Sequence, residues 1–339
     1  MSSANLSVDR FSKQASLVGL VSASIVLLLA FGPAVLDQNL TAALTKLFYL
    51  ITLATMWNLL AGYAGMISVG QQAYIGLGAY GIFVFNDLGA SPYLSAIIAS
   101  VAIGLIALPI SFLAFRLRGG YFAIGTWVIA EAIRLIVVRF ESLGAGRGRN
   151  ISDYTADPTL RTDETYWLAL FVVAGSLVIT FYLLRSRLGL GLQAIRDDEV
   201  AAQAMGVSVQ RSKRVVFVIG AMGAGAAGGI IAIQAIGVAS PNQIFSVSYS
   251  AFMIFMVLIG GIGTIEGPIV GAIIYFVLDY FFSQLGLWYL VFVGLIAILV
   301  TVFLPKGIWG EIQGRFNINL FPVGHRVLLG DSEKQKSAS

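Results

Sequence analysis

Glu131 and Arg134 stand three residues apart in the stretch GTWVIAEAIRLIVV, where nearly every other side chain is apolar. At that spacing they share one helical face. Glu131 is 11 residues into the run that opens near Gly120, which at about 1.5 Å per residue sets it roughly 16 Å deep. Charges at such depth are costly unless they pair or line a polar cavity. Two roles follow: a fixed internal ion pair, or a polar path in which Glu131 faces an ammonium and Arg134 a carboxylate. A path would hold its cargo weakly, because it must also release it. Asn58, Ser68, Gln71, Gln72, Tyr74, Thr126 and Gln234 are further polar residues of apolar runs. Such groups either hydrogen-bond a passing molecule or, more commonly, bridge neighbouring helices.

Other chemistry is excluded by composition. There is no cysteine and one histidine, His325, in the polar tail, so neither a His-based metal site nor a Ser/His/Asp triad can form in the apolar body. No G-x-x-x-x-G-K-[ST] loop occurs, so the chain cannot cradle ATP by that backbone nest. No paired-carboxylate or His-rich signature suggests an enzyme, and no cofactor of its own is expected. Energy for any transport must come from another subunit or from an ion gradient.

The residues that could act must be positioned by membrane helices. Of 339 residues 58% are hydrophobic and 11% charged, against about a quarter charged in an ordinary soluble domain. A hydrocarbon core about 30 Å thick takes roughly 20 apolar residues per helix, and the runs 16–36, 41–61, 67–86, 93–115, 120–138, 166–184, 215–236, 249–265, 268–284 and 287–304 have about that length. The expected fold is an all-α integral membrane protein of about ten transmembrane helices. A signal peptide would have a shorter apolar stretch and a clear small-x-small cleavage site, so the first run is expected to be retained.

Charge sets the orientation. Fifteen of the 21 Lys and Arg fall on one side, four (Arg139, Arg147, Arg149, Arg161) on the other, and Lys46 and Arg134 within runs. Positive charge collects on cytoplasmic loops, so both termini are expected inside. The net charge of +4 is thus a topology signal and does not point to nucleic acid. The expected organisation is a cytoplasmic segment 1–15, a membrane domain 16–304 and a cytoplasmic tail 305–339. The outside loop 141–164, with Gly144, Gly146, Gly148 and Asn150, is a candidate docking surface. The tail patch NINLFPV, 317–323, is expected on the inner leaflet. Lys46 is expected to snorkel to the headgroups.

The 38 glycines sit in apolar runs, where small residues let helices approach closely. Gly225-x-x-x-Gly229, extended by Ala221, and Gly267-x-x-x-Gly271 read as packing faces. Gly62 to Gly70 and Gly260 to Gly267 interrupt apolar runs in similar style. They are either tight cytoplasmic turns or broken helices at a gate, where freed backbone lines a cavity. On the ten-run count they run in the same direction, unlike the pair of an inverted repeat.

The inside loop 185–214 reads GLGLQAIRDDEVAAQAMGVSVQRSKR in its body. It is expected to fold back as a short helix over 192–205, ended by Gly206 in the left-handed position. Ala201, Ala202 and Gly206 match A-A-x-x-x-G, the pattern importer permeases carry in the helix that sits in a cleft of the ATPase. Val200 stands where the usual Glu belongs, Glu199 is one residue early, and the closing Leu-Pro is absent. On this segment alone, an ATPase-coupling helix with Arg196, Asp197, Asp198 and Glu199 fixing register and a solvated linker helix on the membrane surface are both open.

Four blocks extend the likeness: NLLAGYAGMISVGQQAYIGLGAY from Asn58, LRGGYFAIGTWVIAEAIRLI from Leu117, GLQAIRDDEVAAQAMGVSV from Gly191 and LIGGIGTIEGPIVGAII from Leu258. With them the chain resembles, over nearly all of 40–310, the LivM-type permease of branched-chain amino-acid ABC importers, a family that includes urea and short-chain amide systems. The resemblance implies a multi-pass protein of the bacterial inner membrane that carries a small amino acid by alternating access. It also implies a paired permease, two ATPases holding ATP and Mg, and an external binding protein. A urea or amide permease, and a self-sufficient secondary transporter or channel with Glu131 as an ion site, are the competing expectations.

Overall fold

The computed structural model describes residues 7–9, 13–149, 157–235, 240–316, 321 and 326–328. Asn150, most of the 317–323 patch and His325 lie outside them. In lipid every backbone polar group must be satisfied within the protein, and the apolar runs answer as helices. In chain order they are α1 (Lys13–Ala30), α2 (Gly32–Val35), α3 (Gln38–Asn58), α4 (Gln72–Asp87), α5 (Pro92–Ala114), α6 (Gly120–Arg139), α7 (Pro158–Arg185) and α8 (Arg187–Asp197). There follow α9 (Glu199–Ala204), α10 (Val209–Gln234), α11 (Pro241–Ile244), α12 (Ser248–Gly260), α13 (Glu266–Phe282), α14 (Leu287–Phe303) and α15 (Gly307–Phe316). Eight helical stretches among the described residues are long and apolar enough to cross a membrane. The described apolar part of α1 and the 16-residue α4 are shorter. One antiparallel pair of three residues, β1 (Ser7–Asp9) with β2 (Arg326–Leu328), accompanies the helices of the expected all-α fold.

Local chemistry sets several helix starts. The carboxylates of Asp37 and Asp157 and the Ser91 hydroxyl each accept from an amide of the following first turn, at 3.1, 3.0 and 3.4 Å. Pro92 and Pro158 then open α5 and α7, where a missing N–H costs nothing. With that cap α7 begins at Pro158, eight residues before the apolar run, and shortens the loop expected over 141–164. Likewise α10 begins at Val209, inside the expected 185–214 loop, because VQRSKR continues the helical register.

α3 and α10 form the core. α10 packs on α3, α4, α5 and α7, and α13 packs on α3 and α12. Glycine sets the closest approaches: a Cβ on Gly78 of α4 would enter the Gly225 carbonyl, and one on Gly228 the Ile75 carbonyl. Gly225 and Gly229 instead face Ile103 and Ala96 of α5. On α13, Gly271 lies against the Met256 carbonyl and Gly267 against that of Gly261. α6 and α14 lie at the rim, with Trp127, Val128, Val291 and Phe303 among their exposed side chains.

Candidate functional site

Both glycine breaks lie at the end of the bundle that carries α8 and α9, and they touch. The first begins as α3 widens into one π-helical turn, Leu59–Tyr63, a deformation frequent at functional sites. Gly65 then turns with φ +66°, and 66–71 runs back along α3 without helical bonds. Irregular backbone at such depth must be satisfied by protein. Trp57 Nε1 donates to the Ser68 carbonyl at 2.8 Å, the Val69 amide to Thr126 Oγ1 at 3.2 Å, and the Gly70 amide to Ser68 Oγ at 3.3 Å. α4 is short because this segment takes the place of its first turns.

The second break, Gly261 to Ile265, turns on Gly261 and Gly263, both at positive φ. The Asn58 side chain, 1% exposed, joins it to the first. Its Oδ1 accepts from the Gly263 amide at 2.9 Å and its Nδ2 donates to the Thr264 carbonyl at 2.8 Å. Thr264 Oγ1 in turn donates to the Gly261 carbonyl and accepts from the Gly267 amide. Gly62 leaves no room for a Cβ between Asn58 and Gly263.

The 187–206 segment folds beneath these breaks. It is two helices where one was expected, because Asp198 has extended backbone and caps the second: its Oδ1 accepts from the Val200 and Ala201 amides at 2.9 and 3.0 Å. Gly206, at φ +87°, takes the left-handed position expected of it. Ile195, Ala202 and Val209 bury together, so the small face of α9 turns inward at Ala202 while Ala201, Val200 and Met205 face out. Lys213 Nζ pairs with Glu199 Oε2 at 2.6 Å. Arg196 Nη1 donates to the Gly62 carbonyl at 3.1 Å, while Nε and Nη2 hold Asp197. A cavity of about 210 Å³ opens beside them, lined by Met66, Phe115, Arg118, Phe122, Glu199 and Lys213.

The remaining sequence candidates divide. Ser68, Gln71, Gln72 and Thr126 are buried between helices. Gln72 Oε1 accepts from Ser250 Oγ of α12, whereas among the described residues neither polar atom of the Gln71 amide meets a partner. Gln234 donates to the Ala42 carbonyl, so it bridges α10 to α3. Glu131 and Arg134 pair as their spacing requires, on the outward face of α6, with the Glu131 side chain 48% exposed. Arg134 Nη1 also donates to Asn242 Oδ1 of α11 at 2.7 Å. These two charges are separate from the Asn58 junction.

Three contacts were not anticipated from the sequence. Lys46 does not snorkel: its ammonium pairs with Asp279 of α13, which also accepts from the Tyr289 hydroxyl. An acid within the 268–284 run was the signal for it. The Phe321 amide, from the tail patch, donates to the buried Glu266 carboxylate. Asn242 gave no signal, being 108 residues from the arginine it meets.

At the opposite end of the bundle, Arg149 makes a two-pronged pair with Asp87 at 2.6 and 2.7 Å. Its hydrogen bonds hold the Asp87 carboxyl below the usual range, and Asp87 raises the guanidinium in return.

Comparison with known proteins agrees with this architecture. The family model described as branched-chain amino acid transport system / permease component matches residues 39–301. The high-affinity branched-chain amino acid transport system permease protein LivM of Escherichia coli K12 is 26% identical, over 79% of this chain and 68% of its own. A probable branched-chain amino acid transport permease protein LivM of Methanocaldococcus jannaschii is 25% identical, over 78% of this chain and 91% of its own. The permease protein LivH of Salmonella typhimurium is 32% identical over a shorter stretch, 43% of this chain and 46% of its own. No solved structure matches.

Proposed function

The chain belongs to the branched-chain amino acid transport permease family and is a LivM-type, multi-pass membrane permease; from that premise we propose that it is one half of the membrane channel of an ATP-driven importer for branched-chain or related small amino acids. It works in the bacterial inner membrane with a paired permease, two ATPases and an external binding protein. Ten spans are completed by α1 and by α4 with its irregular lead-in. The cations Arg116, Arg118, Arg185, Arg187, Arg211, Lys213, Arg214 and Lys306 all flank the α8–α9 end, which supports a cytoplasmic position for that end and for both termini.

The observation that carries the proposal is the α8–α9 segment. It presents Val200, Ala201 and Met205 outward on a helix whose base is fixed by Asp198 and by the Glu199–Lys213 pair. A short helix with an apolar outward face, capped and ion-paired at its base, suits the cleft of an ATPase. A self-sufficient carrier has no use for one. Chemistry in this chain is limited to weak, reversible contacts, with ATP and Mg held on the partner subunits.

The path is proposed along the outward face of α6. A pair of charges halfway along a membrane helix, on its exposed side, is costly against lipid. Facing the paired permease across a wet path, Glu131, Arg134 and Asn242 keep their hydration and can meet both ends of a zwitterion. Asn58, Ser68, Gln72 and Thr126 hold the segments behind that face through their hydrogen bonds, and Gln71 is buried among them.

Reconstitution of the complete importer in vesicles tests the proposal. Leucine should accumulate only with binding protein and ATP present, and urea should not displace it. Leucine movement by this chain alone, or uptake abolished by an uncoupler with ATP intact, would overturn it.

A further inference from the structure

Arg196 is the penultimate residue of α8, next to Asp197 and two residues before Asp198, the cap of α9. A coupling residue that simply gripped an ATPase would point away from the membrane. This guanidinium instead turns up to a carbonyl at the start of the first break. At the end of α3 and its π turn the carbonyls lack helical partners and carry the negative end of the helix dipole. Arg196 Nη1 satisfies one of them, that of Gly62, at 3.1 Å. A cationic donor makes such a bond roughly twice as strong as a neutral one.

The contact reaches both breaks at once. A Cβ on Gly263 would lie 3.2 Å from Arg196 Nη1 and 3.3 Å from the Gly62 carbonyl oxygen, so the second break is seated against the same guanidinium. Asn58 then binds Gly263 and Thr264 on the inner side. The other prongs of Arg196 hold Asp197. One side chain therefore joins the coupling segment to the point where α3 and α12 both lose their helical form.

We infer that Arg196 is a positioning residue that transmits displacement of α8 and α9 through Gly62, and through Asn58 to Gly263 and Thr264, into the two helix breaks. The inference rests on the importer assignment and adds the route by which an ATPase movement enters the bundle. When α8 shifts, the Gly62 carbonyl follows its charge-assisted partner, and the Asn58 side chain obliges the second break to follow the first. α3 and α12 then bend together at their broken ends.

The test uses the complete reconstituted importer and reads substrate transported per ATP hydrolysed, a ratio that mere loss of folded protein leaves unchanged. Arg196→Ala should lower that ratio by at least about fivefold, the lower edge for coupling between sites, with ATPase subunits still bound. Asn58→Ala lies inside the bundle, away from any ATPase, and should give the same defect. The double variant should be no worse than the more severe single one. Should Asn58→Ala fail to assemble, Asn58→Asp keeps the acceptor for Gly263 and loses the donor to Thr264, and an intermediate ratio is expected.

A normal ratio in the Asn58 variant, with ATPase binding lost in Arg196→Ala, would make Arg196 a simple ATPase contact and overturn the inference while leaving the importer intact. A wild-type complex that fails to transport on ATP would instead remove the importer assignment itself.

Discussion

Lys46 and Asp279 hold α3 to α13, and removing one partner shows how much the pair matters. Breaking a fully buried pair costs about 3–5 kcal/mol because a charge is left alone. Lys46 is 35% exposed, so Asp279→Asn should cost less, between that range and the roughly 0–1 kcal/mol of a surface pair. Thermal unfolding in detergent would measure it, and Lys46→Met with Asp279→Leu should restore most of the loss. Gly78→Ala is a sharper case: its Cβ has no space beside Gly225, and overpacking costs about 1–3 kcal/mol. Gly175→Ala meets nothing within 4 Å and should be neutral or slightly stabilising in the same assay. Single residues were unevenly legible. Glu131 with Arg134 followed from helical spacing alone. Gly78 did not, because no spacing rule says which face of a glycine-rich helix meets another backbone, and the small-residue motif 225–229 marked the contact with α5 and not the closer one with α4. Lys46 misled because its partner is 233 residues away.

At the scale of the element, α9 depends on one side chain. Asp198→Ala removes an N-cap worth about 1 kcal/mol from a six-residue helix with little stability of its own. Faster amide exchange confined to 199–204 and weaker ATPase binding are the expected results; unchanged exchange there would refute the cap's role. The Asp87–Arg149 contact supplies a pH-dependent counterpart at the other end. Because the folded carboxyl titrates below its ordinary value, its stabilisation is full above the ordinary carboxylate range and lost as pH falls through the lowered value. The protection of amides near 142–149, taken relative to the intrinsic exchange rate at each pH, should fall on acidification through that window, and Asp87→Asn should abolish that fall. Helix existence was readable from apolar run length and helix ends much less so. Caps such as Asp37 and Asp157 lie outside the runs that announced their helices. The helical fold-back of the α8–α9 segment and its final Gly206 were expected, but not its division at Asp198, where two adjacent acids gave no hint which would cap.

For the whole molecule the natural absence of cysteine makes topology directly measurable. Single cysteines at 143 and 203, on opposite ends of the bundle, should react oppositely with a membrane-impermeant thiol reagent: 143 in intact right-side-out vesicles, 203 only after permeabilisation. Labelling of both from one side would refute the proposed orientation. Fold class was plain from composition, and the paired breaks were noticed as similar. That they meet was not, because the contact rests on Asn58, a residue with no charge or spacing signal, reaching 205 residues along the chain. This distance has a consequence for biogenesis. Ribosomes add roughly 5–20 residues per second, so the Val69 amide waits about 3–11 seconds for Thr126, 57 residues later. Asn58 waits roughly 10–40 seconds for Gly263 at the same pace. Until those partners arrive, the Val69 amide and the Asn58 side chain lack the bonds that satisfy them in the finished fold. A nascent chain in that condition must be sheltered by the insertion machinery, and truncated or stalled chains ending before α12 should be preferred substrates of membrane proteases.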